Sequence, residues 1–171
     1  QTCDGGFAEY VRVEASQLYR LPADIDPDAA AQTEPLACVL QGLELLKPTP
    51  ADHVLLYGAG PIGLTFIKAL KLYGVEHLTV VAKGETRIAA AKRFGAEMVL
   101  DVQNGVTPEM LEAQWNCLAD VVIDAVGAGE VLSEAVHLVN SRGRILLFGL
   151  NHNARSEVSP AVFTQKELQL M

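Results

Sequence analysis

From His53 onward, short apolar runs alternate with stretches whose apolar residues recur at helical spacing. The runs are VLLY (54–57), LTVV (78–81), EMVL (97–100), DVVIDAV (120–126) and RILLFGL (144–150), with ELQLM (167–171) as a sixth. Each is apolar at consecutive rather than alternate positions, the pattern of strands covered on both faces. Between them the spacing predicts helices over Pro61–Tyr73 ended by Gly74, over Thr86–Phe94 ended by Gly95, behind a Thr107-Pro108 start, and over Glu130 to about Asn140. Strand and helix in this alternation predict an α/β fold built on a six-stranded, doubly wound parallel sheet.

Upstream the pattern is different. Leu36, Val39, Leu40, Leu43 and Leu46 repeat at helical spacing behind a Glu34-Pro35 start, and Lys47-Pro48 ends that helix. Asp26-Pro27 offers another helix start, with an acid at the cap and proline at the first helical position. GGFAEYVRV (5–13) reads as a short extended segment leading to a proline-marked turn near Pro22. Residues 1–26 are therefore expected to be an appendage and residues 27–171 the main domain.

Composition sharpens this picture. With 171 residues, 50% apolar and 20% charged, the chain can bury roughly 70% of its unfolded surface. A formal net charge of −8 opposes a nucleic-acid partner, because phosphate backbones require a basic surface. No apolar run approaches the roughly 20 residues that span a bilayer, and the N-terminus lacks the order of a signal peptide, so the expectation is a cytoplasmic protein with no membrane partner. Cys3, Cys38 and Cys117 have no metal-ligand or disulfide-framework spacing and read as reduced thiols. His53, His77, His137 and His152 are scattered, so no metal ligand set is expected within the chain. Gln1 at the start and the apolar ELQLM at the end suggest a piece of a longer polypeptide.

The chemistry concentrates after the first strand, in Gly58-Ala59-Gly60-Pro61-Ile62-Gly63. A G-x-G-x-x-G between a strand and a helix is the dinucleotide fingerprint. Gly58 permits the turn, Gly60 lets a pyrophosphate approach the backbone, and Gly63 lets the helix pack against the strand. Pro61 and Ile62 open a helix whose free N–H groups attract an anion. At the end of the second strand such folds keep an acid for the adenosine ribose, but here Ala82 holds that place, followed by Lys83 and, a helical turn on, Arg87. Missing repulsion and two available cations predict NADP, with NAD the alternative. Glu85 sits between those cations without an assigned role.

In this order and spacing, DGGFAEYV (4–11), EPLACV (34–39), the GAGPIG turn, TRIAAAKRFGAE (86–97), DVVIDAVG (120–127), GRILLFG (143–149) and QKELQL (165–170) resemble the cofactor domain of the medium-chain dehydrogenase/reductase family, in particular its zinc-dependent alcohol and polyol dehydrogenases. The resemblance implies a Rossmann domain that binds NAD(P) for hydride transfer with a secondary alcohol or polyol. It makes residues 1–26 the remnant of a GroES-like catalytic domain whose zinc ligands lie outside this chain. The chain alone would then be catalytically silent. Glu34 matches an acid that in polyol-dehydrogenase-like members comes near the zinc. Val126, Gly127, Gly149 and Leu150 match backbone positions lying along the cofactor, and the sixth strand matches an edge through which members pair as homo-oligomers. Cys38 is expected as a small buried hydrophobe, His152 as a surface loop residue, and Trp115 with the phenylalanines as core. The alternatives are a non-catalytic NAD(P)-binding regulatory module and a methyltransferase-like domain; Ala82 argues against the latter.

Overall fold

The computed structural model describes residues 5–101 and 105–171. Cys3 and Asp4, included in the readings above, lie outside the described residues. The chain divides into two compact units, Gln1–Glu34 and Pro35–Met171.

In the first unit the described residues form a 3-10 turn at Ala15–Gln17 and the short helix α1 (Pro27–Ala30), and no strand. The Asp26 carboxylate caps α1 as expected, accepting from the Asp28 N–H at 2.9 Å. No described side chain of this unit is buried. Phe7, expected in a core with the other phenylalanines, is fully exposed, because so short a stretch cannot build a core of its own.

The elements that follow are α2 (Thr33–Leu46), β1 (His53–Tyr57), α3 (Pro61–Leu72), β2 (His77–Ala82), α4 (Glu85–Phe94), β3 (Met98–Asp101), α5 (Pro108–Trp115), β4 (Ala119–Asp124), α6 (Gly129–Leu138), β5 (Val139–Leu147), α7 (Pro160–Lys166) and β6 (Gln169–Leu170). The six strands form one parallel sheet in the order β3-β2-β1-β4-β5-β6. The chain starts at the centre, winds outward to β3, and returns to β4 beside β1. The carboxyl ends of β1 and β4 therefore frame the topological switch point, where ligands of doubly wound sheets bind.

The continuous apolar runs are explained by two cores. Val54 and Leu56 of β1 face one, with Val39, Leu43 and Leu46 of α2 and Phe66, Ile67 and Leu70 of α3. Leu55 and Tyr57 face the other, with Leu111 of α5 and Val131, Ala135 and Leu138 of α6. The central strands β1, β2 and β4 thus bury both of their faces, while the edge strands β3 and β6 are partly or wholly exposed. On α2 the predicted stripe is narrower than expected: Leu36 and Leu40 remain exposed. Cys38 is exposed too, a correction to its expected burial, since Val39, Gly42, Leu43 and Leu46 are the residues that α2 turns inward.

Strand boundaries differ from the apolar runs at both ends of the sheet. β4 stops at Asp124 rather than continuing to residue 126, because the Asp124 side chain captures the next two free N–H groups. β5 begins at Val139, passes through an irregular Asn140–Gly143 stretch with Arg142 at φ 64°, and leaves the ladder after Leu147. β6 pairs with β5, and Met171 extends the pairing through bonds to Ile145 and Leu147 of 2.9 Å each. Among the described residues no helix is long and apolar enough to cross a membrane.

Candidate dinucleotide site

Gly58 leaves β1 at φ 102° and its N–H donates to the Val81 carbonyl at 2.9 Å, which bends the chain over the end of β2. Gly60 then takes the N-cap of α3 in extended conformation with Pro61 behind it. A Cβ added at Gly60 would meet nothing within 4 Å, whereas one at Gly63 would collide with the carbonyl oxygen of Gly58. The two glycines therefore do different work. Gly63 is needed for helix-to-turn packing, and Gly60 leaves the backbone open to an approaching group. That open cradle, facing the first-turn amides of a twelve-residue helix, fits a pyrophosphate. Ile62 is half-buried and packs on the core below the turn.

At the end of β2, Ala82 is buried, 4% exposed. Lys83, Glu85 and Arg87 are all exposed. Gly84, at φ 90°, turns the chain into α4, and its carbonyl accepts from the Arg87 N–H at 3.1 Å. Ala82 is also the register partner of Asp101, the last residue of β3. Asp101 was not a sequence candidate; strand pairing alone brings this acid beside the position that lacks one.

Across the switch point the ends of β4 and β5 come together. Val126 and Leu150 are exposed, at 53% and 81%. Gly127, at φ 80°, lies so close to Gly149 that a Cβ on Gly149 would collide with the Gly127 N–H. A Cβ on Gly58 would reach within 2.9 Å of Val126, so the glycine turn and this pair of loops border one crevice. Asp124 joins the loops beneath it and was also missed as a candidate. Its sequence signal is an acid ending an otherwise apolar strand three residues before a glycine, the mark of a side chain that bonds the turn ahead of it.

The remaining candidates lie elsewhere. Glu34 is exposed in the first turn of α2, in the unit Gln1–Glu34. His152 is exposed in the turn after β5, where its carbonyl accepts from Arg155. Trp115 is half-buried and packs on the second core, with His53 5.1 Å away between ring centroids. Cys117 lies 3.7 Å from His53, and burial followed by the charge of Asp120 pushes its thiol up, away from the reactive thiolate form. Among the described residues no three His, Cys, Asp or Glu side chains are placed to hold a metal ion. The described residues therefore do not fit zinc.

Fold and crevice together define a doubly wound, dinucleotide-binding type of domain. The family model for zinc-binding dehydrogenases matches residues 61–171. D-arabinitol dehydrogenase 1 of Uromyces fabae is 30% identical over 99% of this chain and 50% of its own length. The solved structure of a short chain alcohol dehydrogenase (rspB) from E. coli CFT073, complexed with NADH, is 33% identical and superposes with a TM-score of 0.89, covering 98% of this chain and 50% of that one. A zinc-binding dehydrogenase of Sinorhizobium meliloti 1021 bound to NADP is 30% identical with a TM-score of 0.86, over 98% and 50% of the two chains. The chain belongs to the zinc-binding dehydrogenase family and corresponds to the cofactor-binding domain of its alcohol and polyol dehydrogenases. It spans about half the length of the curated relatives it matches.

Proposed function

We propose that this chain is the cofactor-holding half of an oxidoreductase that moves a hydride between NADP and a secondary alcohol or polyol. The observation that carries the dinucleotide reading is the cradle at Gly60, open above and backed by the tight Gly58–Gly63 contact. Bound there, the nicotinamide carries the hydride, and the chain's part is to hold and orient it. Gly58, Gly60, Pro61, Ile62 and Gly63 receive the pyrophosphate; Val126, Gly127, Gly149 and Leu150 flank the nicotinamide. Ala82 leaves room at the adenosine ribose, and Lys83 and Arg87, whose side chains have no ion-pair partner among the described residues, meet its 2'-phosphate. Asp101 and Glu85 bound this basic patch on its acidic side.

In the intact parent, Glu34 takes the place the resemblance gives it, and zinc would be held by residues outside the described ones; no step through zinc is derived from this chain. The chain alone is silent as a catalyst. We further propose a cytoplasmic protein that assembles with a second copy through the β6 edge, whose exposed Leu170 leaves the sheet unpaired on that side.

Calorimetric titration of the chain with NADP and NAD, for the wild type, Lys83→Ala and Arg87→Ala, tests the reading. NADP should bind more tightly, each substitution weakening it about threefold to tenfold with little change for NAD. Tighter binding of NAD, with NADP indifferent to both substitutions, overturns the phosphate assignment. Alcohol oxidation by the same sample supplied with zinc would overturn the silent-chain reading, and a monomer by sedimentation would overturn the assembly.

A further inference from the structure

Asp124 is a charged side chain placed where a doubly wound sheet needs none for packing. It ends β4 and is 3% exposed. Its Oδ1 accepts from the backbone N–H groups of Val126 and Gly127, both at 2.8 Å. Its own carbonyl accepts from Phe148 at 2.9 Å and Gly149 at 2.7 Å. One residue thereby takes four amides, two from each loop that borders the crevice. The loops meet beneath it through Gly127 and Gly149, where no side chain would fit.

Burying a carboxylate is costly, and a neutral residue could end a strand without that cost. Here burial raises the carboxyl above its usual range, and the bonds from Gly127 and Val126 offset part of that rise. What the arrangement secures is the direction of the loop backbone. With those N–H groups turned toward Asp124, the carbonyls of Val126, Gly127 and Gly149 have no hydrogen-bond partner among the described residues. Acceptors left in this way suit a ligand group that donates N–H, such as a carboxamide.

We propose that Asp124 is a positioning residue for the nicotinamide half of the dinucleotide, acting through the two backbone amides that its carboxylate holds, those of Val126 and Gly127, rather than by touching the cofactor. The inference rests on the dinucleotide reading above. It separates the two halves of the ligand: the ADP-ribose half lies on the glycine turn and β2, and the nicotinamide half depends on the loop after β4 that the Asp124 carboxylate fixes.

The test compares NADP with 2'-phospho-ADP-ribose, which lacks the nicotinamide, by calorimetry on the wild-type chain, Asp124→Ala and Asp124→Asn. Asp124→Ala should weaken NADP about tenfold while the truncated ligand stays within about twofold. Asp124→Asn, whose amide oxygen still accepts both N–H groups, should stay within about threefold of wild type for both ligands. Amide exchange should quicken most in Asp124→Ala at Val126 and Gly127, whose acceptor is the side chain, and less at Phe148 and Gly149, whose acceptor is the retained main-chain carbonyl, with no change along α3. If Asp124→Ala does not fold, Asp124→Ser carries the same expectation, because its shorter side chain cannot reach both amides. Equal weakening of NADP and the truncated ligand makes Asp124 merely structural and overturns the proposal, as does weakening of neither. A wild type that prefers NAD fails the phosphate reading alone, and NAD with ADP-ribose then reads the same selectivity. A wild type that binds no dinucleotide overturns both.

Discussion

β4 begins near one aspartate and ends on another, and the two ends of the sheet use them differently. At the amino end, Asp120 accepts from the His53 N–H at 2.9 Å and from the Asn140 side-chain amide at 3.0 Å, while the His53 ring stacks on His77 at 4.6 Å. Nearby, Arg144 bonds Asp52 at 2.7 Å and also takes the carbonyls of Leu46, the last residue of α2, and of Lys47 just beyond it. Side chains here bond one another across the end of the sheet. At the carboxyl end, Asp124 bonds only backbone, glycines replace side chains, and the loop tips stay open. An end filled by side-chain pairs supports stability, and an end built from backbone and glycine leaves surface for a ligand.

The strongest way to break the comparison is to remove Arg144, because Asp52 would be left buried with its charge unpaired and α2 would lose its terminal bonds. Arg144→Ala should cost about 3 kcal/mol or more in unfolding free energy, measured by denaturant melting, with NADP affinity of the folded chain unchanged. A loss of affinity at constant fold would show that the two ends are not separable.

Gly63→Ala probes the other end. Its added methyl would press on the Gly58 carbonyl, so a cost of about 1–3 kcal/mol should come with at least a tenfold loss of NADP binding. Unchanged binding would mean that the turn does not hold the cofactor.

The smallest effect lies in pH dependence. Burial alone would raise the Asp120 carboxyl, but hydrogen bonds from His53 and Asn140 outweigh it and hold the group below its usual range. Its contribution to stability is therefore present above the ordinary carboxylate pKa and is lost as pH falls through the folded value. Asp124 is raised, so its ionisation lowers stability as pH rises from the ordinary value through the folded one. Melting temperatures between about pH 3 and 6 should show Asp124→Asn improving relative to wild type as pH rises and Asp120→Asn worsening. Parallel slopes would erase the distinction between the two ends.

Sequence alone reached far at the first half of the site. Apolar runs and their spacing located all six strands, and Gly58, Gly60 and Gly63 could be assigned separate tasks because those tasks follow from local geometry. Ala82 was legible for the same reason, as one position counted from the glycine turn. Asp101 was not, since it matters through its pairing with Ala82 on a strand distant in sequence; Asp124 carried a local signal, an acid before a turn glycine, but its place at the meeting of two loops depends on the assembled sheet. The exposure of Cys38, Leu36 and Leu40 escaped for a related reason, because helical spacing finds a stripe but not how much of it a neighbour covers.

What the amino-acid order determined by itself was the alternation of strands and helices, the parallel sheet and the glycine turn, all set by short-range pattern and backbone sterics. Tertiary structure decided which polar groups meet across the sheet, and therefore which end closes on its own side chains and which remains open. Hydrogen bonds between loops depend on the register and twist of the assembled sheet, which no local stretch of sequence encodes.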